Sequence, residues 1–167
     1  MEQKDFNREF AAMLTGDKAA FTNIYTEIKT PVFTVIYRVV GRRDTAEDVM
    51  QELFLRLLRH KTDGPVHNPR AYIFKMAHNM ALDEVRKREC DELSEDISDK
   101  TDIAEISCSR LDIESAMARL STQERETVAL HLTAGLKFRE ISDIQGIPLG
   151  TVLSRYNSAV KKLRQML

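Results

Sequence analysis

Ten residues decide where helices in this chain can begin and end: six glycines and four prolines among 167 positions. They fall where apolar repeats of helical period stop or start, and no stretch shows the strict alternation of a half-buried strand. Gly16 and Asp17 separate an opening segment (Phe6, Phe10, Met13, Leu14) from the run Phe21, Ile24, Tyr25, Ile28. Pro31 is expected in the first turn of a third helix, where its missing N–H costs nothing. Val32, Val35, Ile36 and Val39 follow at helical spacing, and Gly41 ends the run. Asp44 or Thr45 then caps a fourth helix reaching Arg59, with Glu47 and Asp48 in its first turn, where negative charge is favourable. The stretch from Lys61 to Asn68 has loop composition, and Asn68-Pro69 is a cap followed by a first-turn proline. From there a helix meets no breaker before about Arg88, a span of roughly 30 Å.

Charge divides the chain further. The net charge is −1, which taken alone argues against nucleic acid, but it is an average. Residues 1–90 carry 15 basic and 13 acidic side chains, residues 91–118 carry 2 and 9, and residues 119–167 carry 8 and 4. Residues 89–110 are polar and acidic with little apolar period, the composition of a linker. Helical pattern resumes near Leu111 with Ile113, Met117 and Leu120, and Ser121-Thr-Gln-Glu124 is a capping box opening a helix expected to bury Val128 and Leu132. The expected fold is all-α, with two small helical domains: an N-terminal helical bundle over residues 1–90 and a C-terminal helix-turn-helix domain over residues 111–167. A flexible acidic linker over residues 91–110 joins them.

The C-terminal segment has the more specific pattern. Phe138, Ile141 and Ile144 share one side of a short helix, Gln145-Gly146-Ile147 turns the chain, and a longer helix runs from about Leu149 to Leu167. On it Val152, Tyr156, Val160, Leu163 and Leu167 form the expected buried stripe. Thr151, Ser154, Arg155, Ser158, Lys161 and Lys162 lie opposite, with no carboxylate from Leu149 onward. A support helix, a glycine turn and a polar, cationic second helix make a helix-turn-helix, whose second helix fits a major groove. An ordinary helical hairpin with a solvated basic face is the competing reading.

Two faces of the N-terminal segment are two-sided. On the fourth helix Ala46, Val49, Leu53 and Leu57 can face a core, which turns Asp48, Gln51, Glu52 and Leu55 outward, toward a basic partner or merely toward water. On the helix from Pro69, Tyr72, Lys75, His78, Asn79, Asp83, Arg86, Lys87 and Arg88 lie away from Ile73, Ala77, Met80, Ala81 and Val85. Aromatic and cationic groups together suit single-stranded nucleic acid, although an aromatic at helical spacing also suits a core.

Together these segments resemble the bacterial RNA polymerase sigma factors, specifically the short extracytoplasmic-function (ECF) group. Asp44-Thr-Ala-Glu-Asp-Val-Met-Gln-Glu-Leu-Phe-Leu-Arg-Leu58 is similar to the family's core-polymerase-binding helix. The stretch from Asn68 to Arg88 is similar to its minus-10 recognition and melting segment. Leu120-Ser-Thr-Gln-Glu-Arg-Glu, Gly135-Leu-Lys-Phe-Arg-Glu-Ile-Ser and Gly150-Thr-Val-Leu-Ser-Arg155 are similar to its minus-35-binding domain. The resemblance implies that Asp48, Gln51, Glu52, Phe54, Leu55 and Leu58 meet core RNA polymerase, on the clamp coiled coil of the largest subunit, the flap being a further contact. It implies minus-10 DNA contacts from Lys61, His67, Asn68, Tyr72, Lys75, His78, Asn79, Arg86, Lys87 and Arg88. Minus-35 contacts would come from Arg139, Thr151, Leu153, Ser154, Arg155, Asn157, Ser158, Lys161 and Lys162. Family members often carry Arg or Lys at the place of Leu153 and Arg at that of Ser158. A leucine forms no bidentate guanine contact but meets a thymine methyl. The resemblance further implies promoter DNA and an anti-sigma factor as partners.

Other classes fit less well. His60, His67, His78 and His131 are scattered and share no metal-ligand spacing with Cys90 or Cys108, and there is no phosphate-binding glycine loop or nucleophile elbow. No enzyme activity, metal or cofactor is expected. Two cysteines make no disulfide framework, no apolar run has spanning length, and no signal-peptide pattern opens the chain, so a cytoplasmic protein without membrane contact is expected. A helix-turn-helix regulator that works without polymerase would explain residues 120–167 and leave the two N-terminal faces without a role.

Overall fold

The computed structural model describes residues 2–59, 64–92 and 108–166, and every regular element among them is helical. Helix α1 (Gln3–Leu14) buries Phe6, Phe10 and Met13, spaced four and three residues apart. Gly16 turns the chain at φ +96°, which a residue with a Cβ rarely adopts. Asp17 then caps α2 (Lys18–Val40), its Oδ1 accepting the amides of Ala19 at 2.8 Å and Ala20 at 3.2 Å.

Pro31 does not start a helix, contrary to the expectation. It lies inside α2, a continuous helix of 23 residues. An interior proline costs about 3 kcal/mol, but Ile24, Ile28, Val32, Val35 and Ile36 stay in phase across it and are all at most 2% exposed. Burying that stripe outweighs one lost hydrogen bond. Helix α3 (Arg43–Arg59) starts just before the expected cap, so Asp44 sits within its first turn. The Arg42 guanidinium, donating at 2.8 Å, and then the Thr45 amide hold the Asp44 carboxyl at a pKa of about 2. Helix α4 (Pro69–Glu92) begins as expected, with the Asn68 Oδ1 accepting the Ala71 amide at 3.2 Å, and it runs past Arg88. Helices α1 to α4 pack around Ile24, Ile28, Ile36, Leu53, Ile73 and Phe74.

The second half comprises α5 (Cys108–Ala118), α6 (Thr122–Val128), a π-helical segment (Ala129–Thr133), α7 (Phe138–Gln145) and α8 (Leu149–Met166). The capping box forms: Glu124 N–H donates to the Ser121 hydroxyl at 3.2 Å, and Ser121 N–H to the Glu124 carboxylate at 3.0 Å. Two expected core positions do not hold. Leu132 is 62% exposed, because the widened turn, marked by the Ala134 N–H donating to the Ala129 carbonyl, rotates it outward and turns Leu130 and Ala134 in. Ile113 is 53% exposed, because only the last turn of α5 is covered: Ala116 and Met117 are buried, and Met117 packs with Leu120 beyond the helix end, Val128 and Ala159. Of the expected stripe on α8, Val152 is buried, Tyr156, Val160 and Leu163 are half-buried, and Leu167 lies outside the described residues. Ala159 completes the buried side.

The two halves are in contact. Ala129, Leu130, Ala134, Leu136, Ile141, Ile144 and Val152 belong to the same continuous buried cluster as the N-terminal core. Helix α2 packs against α6 and the π segment, and α4 against α7. Most of the expected acidic linker, residues 93–107, lies outside the described residues.

Candidate polymerase and nucleic-acid interfaces

Helix α3 divides as its sequence requires. Ala46, Val49, Leu53 and Leu57 are buried, and Asp48, Gln51, Glu52, Leu55 and Leu58 are exposed. Leu55 and Leu58 are 43% and 55% exposed, large apolar side chains beside an acidic row. The Glu52 carboxylate accepts from the Arg56 Nε at 2.8 Å, whereas Asp48 and Gln51 have no side-chain partner among the described residues. Phe54, which the resemblance implied as a polymerase contact, is instead buried. It is 6% exposed and packs edge-on to Tyr25 at 4.7 Å between ring centres, because α2 covers that flank of α3.

On α4, Lys75, Asn79, Arg86 and Lys87 are exposed, as is His67 in the preceding loop; Asn68 is half-buried. Tyr72 is half-buried, its ring edge-on to Phe10, and burial raises its pKa. Arg88 is half-buried and donates to the Val40 carbonyl, tying the end of α4 to the end of α2. Lys61 lies outside the described residues. His78 is a second correction: expected on an open face, it is 3% exposed. Its Nε2 lies 3.3 Å from the Glu126 carboxylate of α6, because the C-terminal half covers the flank of α4 on which Phe74 and His78 follow one another at helical spacing.

In the helix-turn-helix, Gly146 ends α7 at φ +64° and the Ser142 hydroxyl donates to the Ile147 carbonyl at 2.6 Å, fixing the turn. Arg139 on α7 and Leu153, Ser154, Asn157 and Lys161 on α8 are exposed, while Thr151 and Arg155 are half-buried. Ser158 and Lys162 are already partnered within the chain, although 44% of the Lys162 side chain stays exposed. Their Oγ and Nζ donate to the Glu124 carboxylate at 2.7 and 2.8 Å, and these bonds, the Lys162 ammonium first, hold the Glu124 pKa at about 2 against the opposing effect of burial. The pair pins α8 to the start of α6.

Sequence reasoning missed the contacts between halves. Arg38 of α2 makes a two-pronged bond to the Glu114 carboxylate of α5 at 2.7 and 2.8 Å, which lowers the Glu114 pKa. Asn68 donates its side-chain amide to the Glu140 carboxylate, and the Arg70 Nε donates to the Ala134 carbonyl at 2.9 Å. A cleft of about 400 Å³ remains beside these bonds, lined by His67, Asn68, Arg70, Leu136 and Glu140 among others. One signal was available: Arg38 is the only charged residue between Thr30 and Gly41, and a cation in an apolar run needs a buried acceptor.

With this geometry in hand, comparison with known proteins decides the family. The profile described as Sigma-70 region 2 matches residues 24–89, and that described as Sigma-70, region 4 matches residues 110–163. The ECF RNA polymerase sigma factor SigL of Mycobacterium tuberculosis is 31% identical, the match covering 89% of this chain and 89% of SigL. The chain belongs to the ECF RNA polymerase sigma factors. The ECF sigma factor SigE of Mycolicibacterium smegmatis is 28% identical over 92% of this chain, which spans 65% of the SigE length. Among solved structures, the sigma factor RpoE of Bartonella quintana, in complex with the anti-sigma factor NepR, shares the fold. Its TM-score is 0.71 at 20% identity, over 87% of this chain and 95% of that one. In sigma-factor terms, α2 to α4 carry the region 2 match, and α5 to α8 carry region 4. Among the described residues no helix is long and apolar enough to cross a membrane.

Proposed function

We propose that this chain is the promoter-specificity subunit of RNA polymerase for a dedicated set of promoters. Polymerase carries out the chemistry and the sigma factor supplies recognition. The α3 face of Asp48, Gln51, Glu52, Leu55 and Leu58 docks on the clamp coiled coil of the largest subunit, with the flap as a further contact. The loop before α4 and the exposed residues Lys75, Asn79, Arg86 and Lys87 hold the opened minus-10 strand, where stacking and phosphate neutralisation offset the cost of unpairing. Helix α8 presents Leu153, Ser154, Asn157 and Lys161, with Arg139 from α7, to the minus-35 duplex. Residues 1–90 and 111–167 act as the two recognition units, with residues 91–110 between them. The protein works in the cytoplasm, on the nucleoid, and an anti-sigma protein holds it in reserve, a reading supported by the complex of RpoE with the anti-sigma factor NepR.

The observation that carries this reading is the exposed acidic and apolar face of α3, in one chain with a helix-turn-helix. A regulator that needs only duplex DNA has no use for it. Gel filtration with core RNA polymerase tests the reading: the chain is expected to co-elute with core. Separate elution, with tight duplex binding by the chain alone, would favour the regulator.

A further inference from the structure

We infer that the minus-35 element of this chain carries two A·T pairs about two base-pair steps apart, one presenting an adenine to the Asn157 amide and the other a thymine methyl to Leu153. The inference rests on the reading of α8 as the helix that enters the minus-35 major groove, and it deepens that reading by naming the bases. Val152 and Ala159 mark the buried line of α8. At 3.6 residues per turn, the exposed stripe opposite holds Gly150, Leu153, Ser154, Asn157, Lys161 and Arg164. Asn157 and Lys161 run along its centre, with Leu153 and Ser154 on its two edges.

The other polar groups of this motif are committed or lie aside. The Ser158 hydroxyl and the Lys162 ammonium both donate to the Glu124 carboxylate. Thr151 and Arg155 are half-buried, one turn apart on the flank of the stripe. Arg139 belongs to α7, the helix that crosses the DNA backbone in this motif. Base edges in the first turns of α8 are therefore left to Leu153, Ser154 and Asn157. A serine hydroxyl donates or accepts and so tolerates several bases.

The remaining two are selective. Asn157 is exposed, and its side chain has no hydrogen-bond partner among the described residues. Its amide sets a donor beside an acceptor, the complement of adenine N7 and N6–H. Leu153 is 38% exposed, a large apolar side chain that gains nothing from water and meets the C5-methyl of thymine in a major groove. Guanine takes its bidentate contact from Arg or Lys, and neither stands in the stripe before Lys161. Four residues span about 6 Å of helix against about 3.4 Å per base-pair step, which sets the separation of two steps. Lys161 and Arg164 lie further along α8, and phosphates take their charge.

The test uses holoenzyme assembled from the full chain and core RNA polymerase, with a promoter library randomised across the upstream duplex and the bound fragments sequenced. Wild type is expected to select the two A·T pairs. Asn157→Arg, at an exposed position, is expected to move one of them from adenine to guanine by about tenfold and to leave the other unchanged. Modified bases then separate contact from structure. Replacing the adenine with 7-deazaadenine is expected to weaken wild-type binding about fivefold, the net worth of one hydrogen bond, and to leave Asn157→Ala unaffected. Replacing the thymine with uracil is expected to weaken wild type about fourfold, the worth of one buried methyl group, and to leave Leu153→Ala unaffected. Selection of G·C pairs by wild type, an unchanged selected sequence with Asn157→Arg, or equal sensitivity of wild type and variants to the modified bases would overturn the base assignment. The α8 reading would survive that result if Lys161→Ala still weakened promoter binding. If neither Lys161→Ala nor any other α8 variant altered promoter binding, the α8 reading would fall and the inference with it.

Discussion

Glu124 shows how one side chain can set the geometry of a recognition helix. It closes the capping box of α6 and receives Ser158 and Lys162 of α8, all on one carboxylate that is 7% exposed. Replacing it with Gln is expected to destabilise the chain by about 2 kcal/mol at neutral pH, the usual worth of hydrogen bonds to a buried charge. Its folded pKa, about 2, lies below the ordinary 4.5, so its contribution is full above pH 4.5 and fades as pH falls toward 2. Urea unfolding of wild type and Glu124→Gln should therefore differ at pH 7 and converge on acidification; equal stability at pH 7 would contradict this. At this scale the sequence was half legible. The box itself was plain in Ser121 and Glu124, but which cation on α8 is bonded to α6 was not. Lys161 and Lys162 are neighbours in sequence, and only Lys162 meets a carboxylate of α6. His78 was misplaced for the same kind of reason: its burial comes from α6, an element 48 positions away, and no local pattern reports it.

At the scale of elements, helical phase was the reliable signal. It placed four of the five buried residues of α3 and the outward row beside them, and it explains why Asp48→Lys with Glu52→Lys should leave the fold intact. That double variant is expected to keep its helical circular dichroism and to stop co-eluting with core polymerase; undiminished co-elution would remove α3 from the interface. Phase failed where another force overrode it. Pro31 looked like a start signal, yet the apolar stripe of α2 runs through it, and the π segment shifted Leu132 to the surface although its spacing from Val128 was ideal. For α8, the division between Lys161 and Lys162 makes a sharper forecast than a uniformly basic face. Lys161→Ala is expected to weaken promoter binding by the assembled polymerase across sequences and to lower its log–log salt slope by about one. A loss confined to one promoter sequence would show that Lys161 reads bases rather than phosphate.

For the molecule as a whole, the near-neutral net charge conceals a division of labour. Two basic segments flank an acidic one, and within the C-terminal segment three of the four carboxylates are bonded to other elements, Glu124 to α8, Glu126 to His78 of α4 and Glu140 to Asn68 before it. The all-helical architecture and the helix-turn-helix could be read from breakers and period. The contact between the halves could not, because it depends on single bonds such as Arg38 to Glu114 across 76 positions. A chain built this way is expected to bind promoters poorly alone and well when polymerase positions it. The central claim is that it redirects polymerase to promoters of its own. Transcribing sheared genomic DNA from its own organism with core polymerase, with and without the chain, and sequencing the RNA 5′ ends tests that claim most directly. The account predicts a set of start sites that appear only with the chain and share two upstream elements at fixed spacing. The same start sites with and without it would contradict the account.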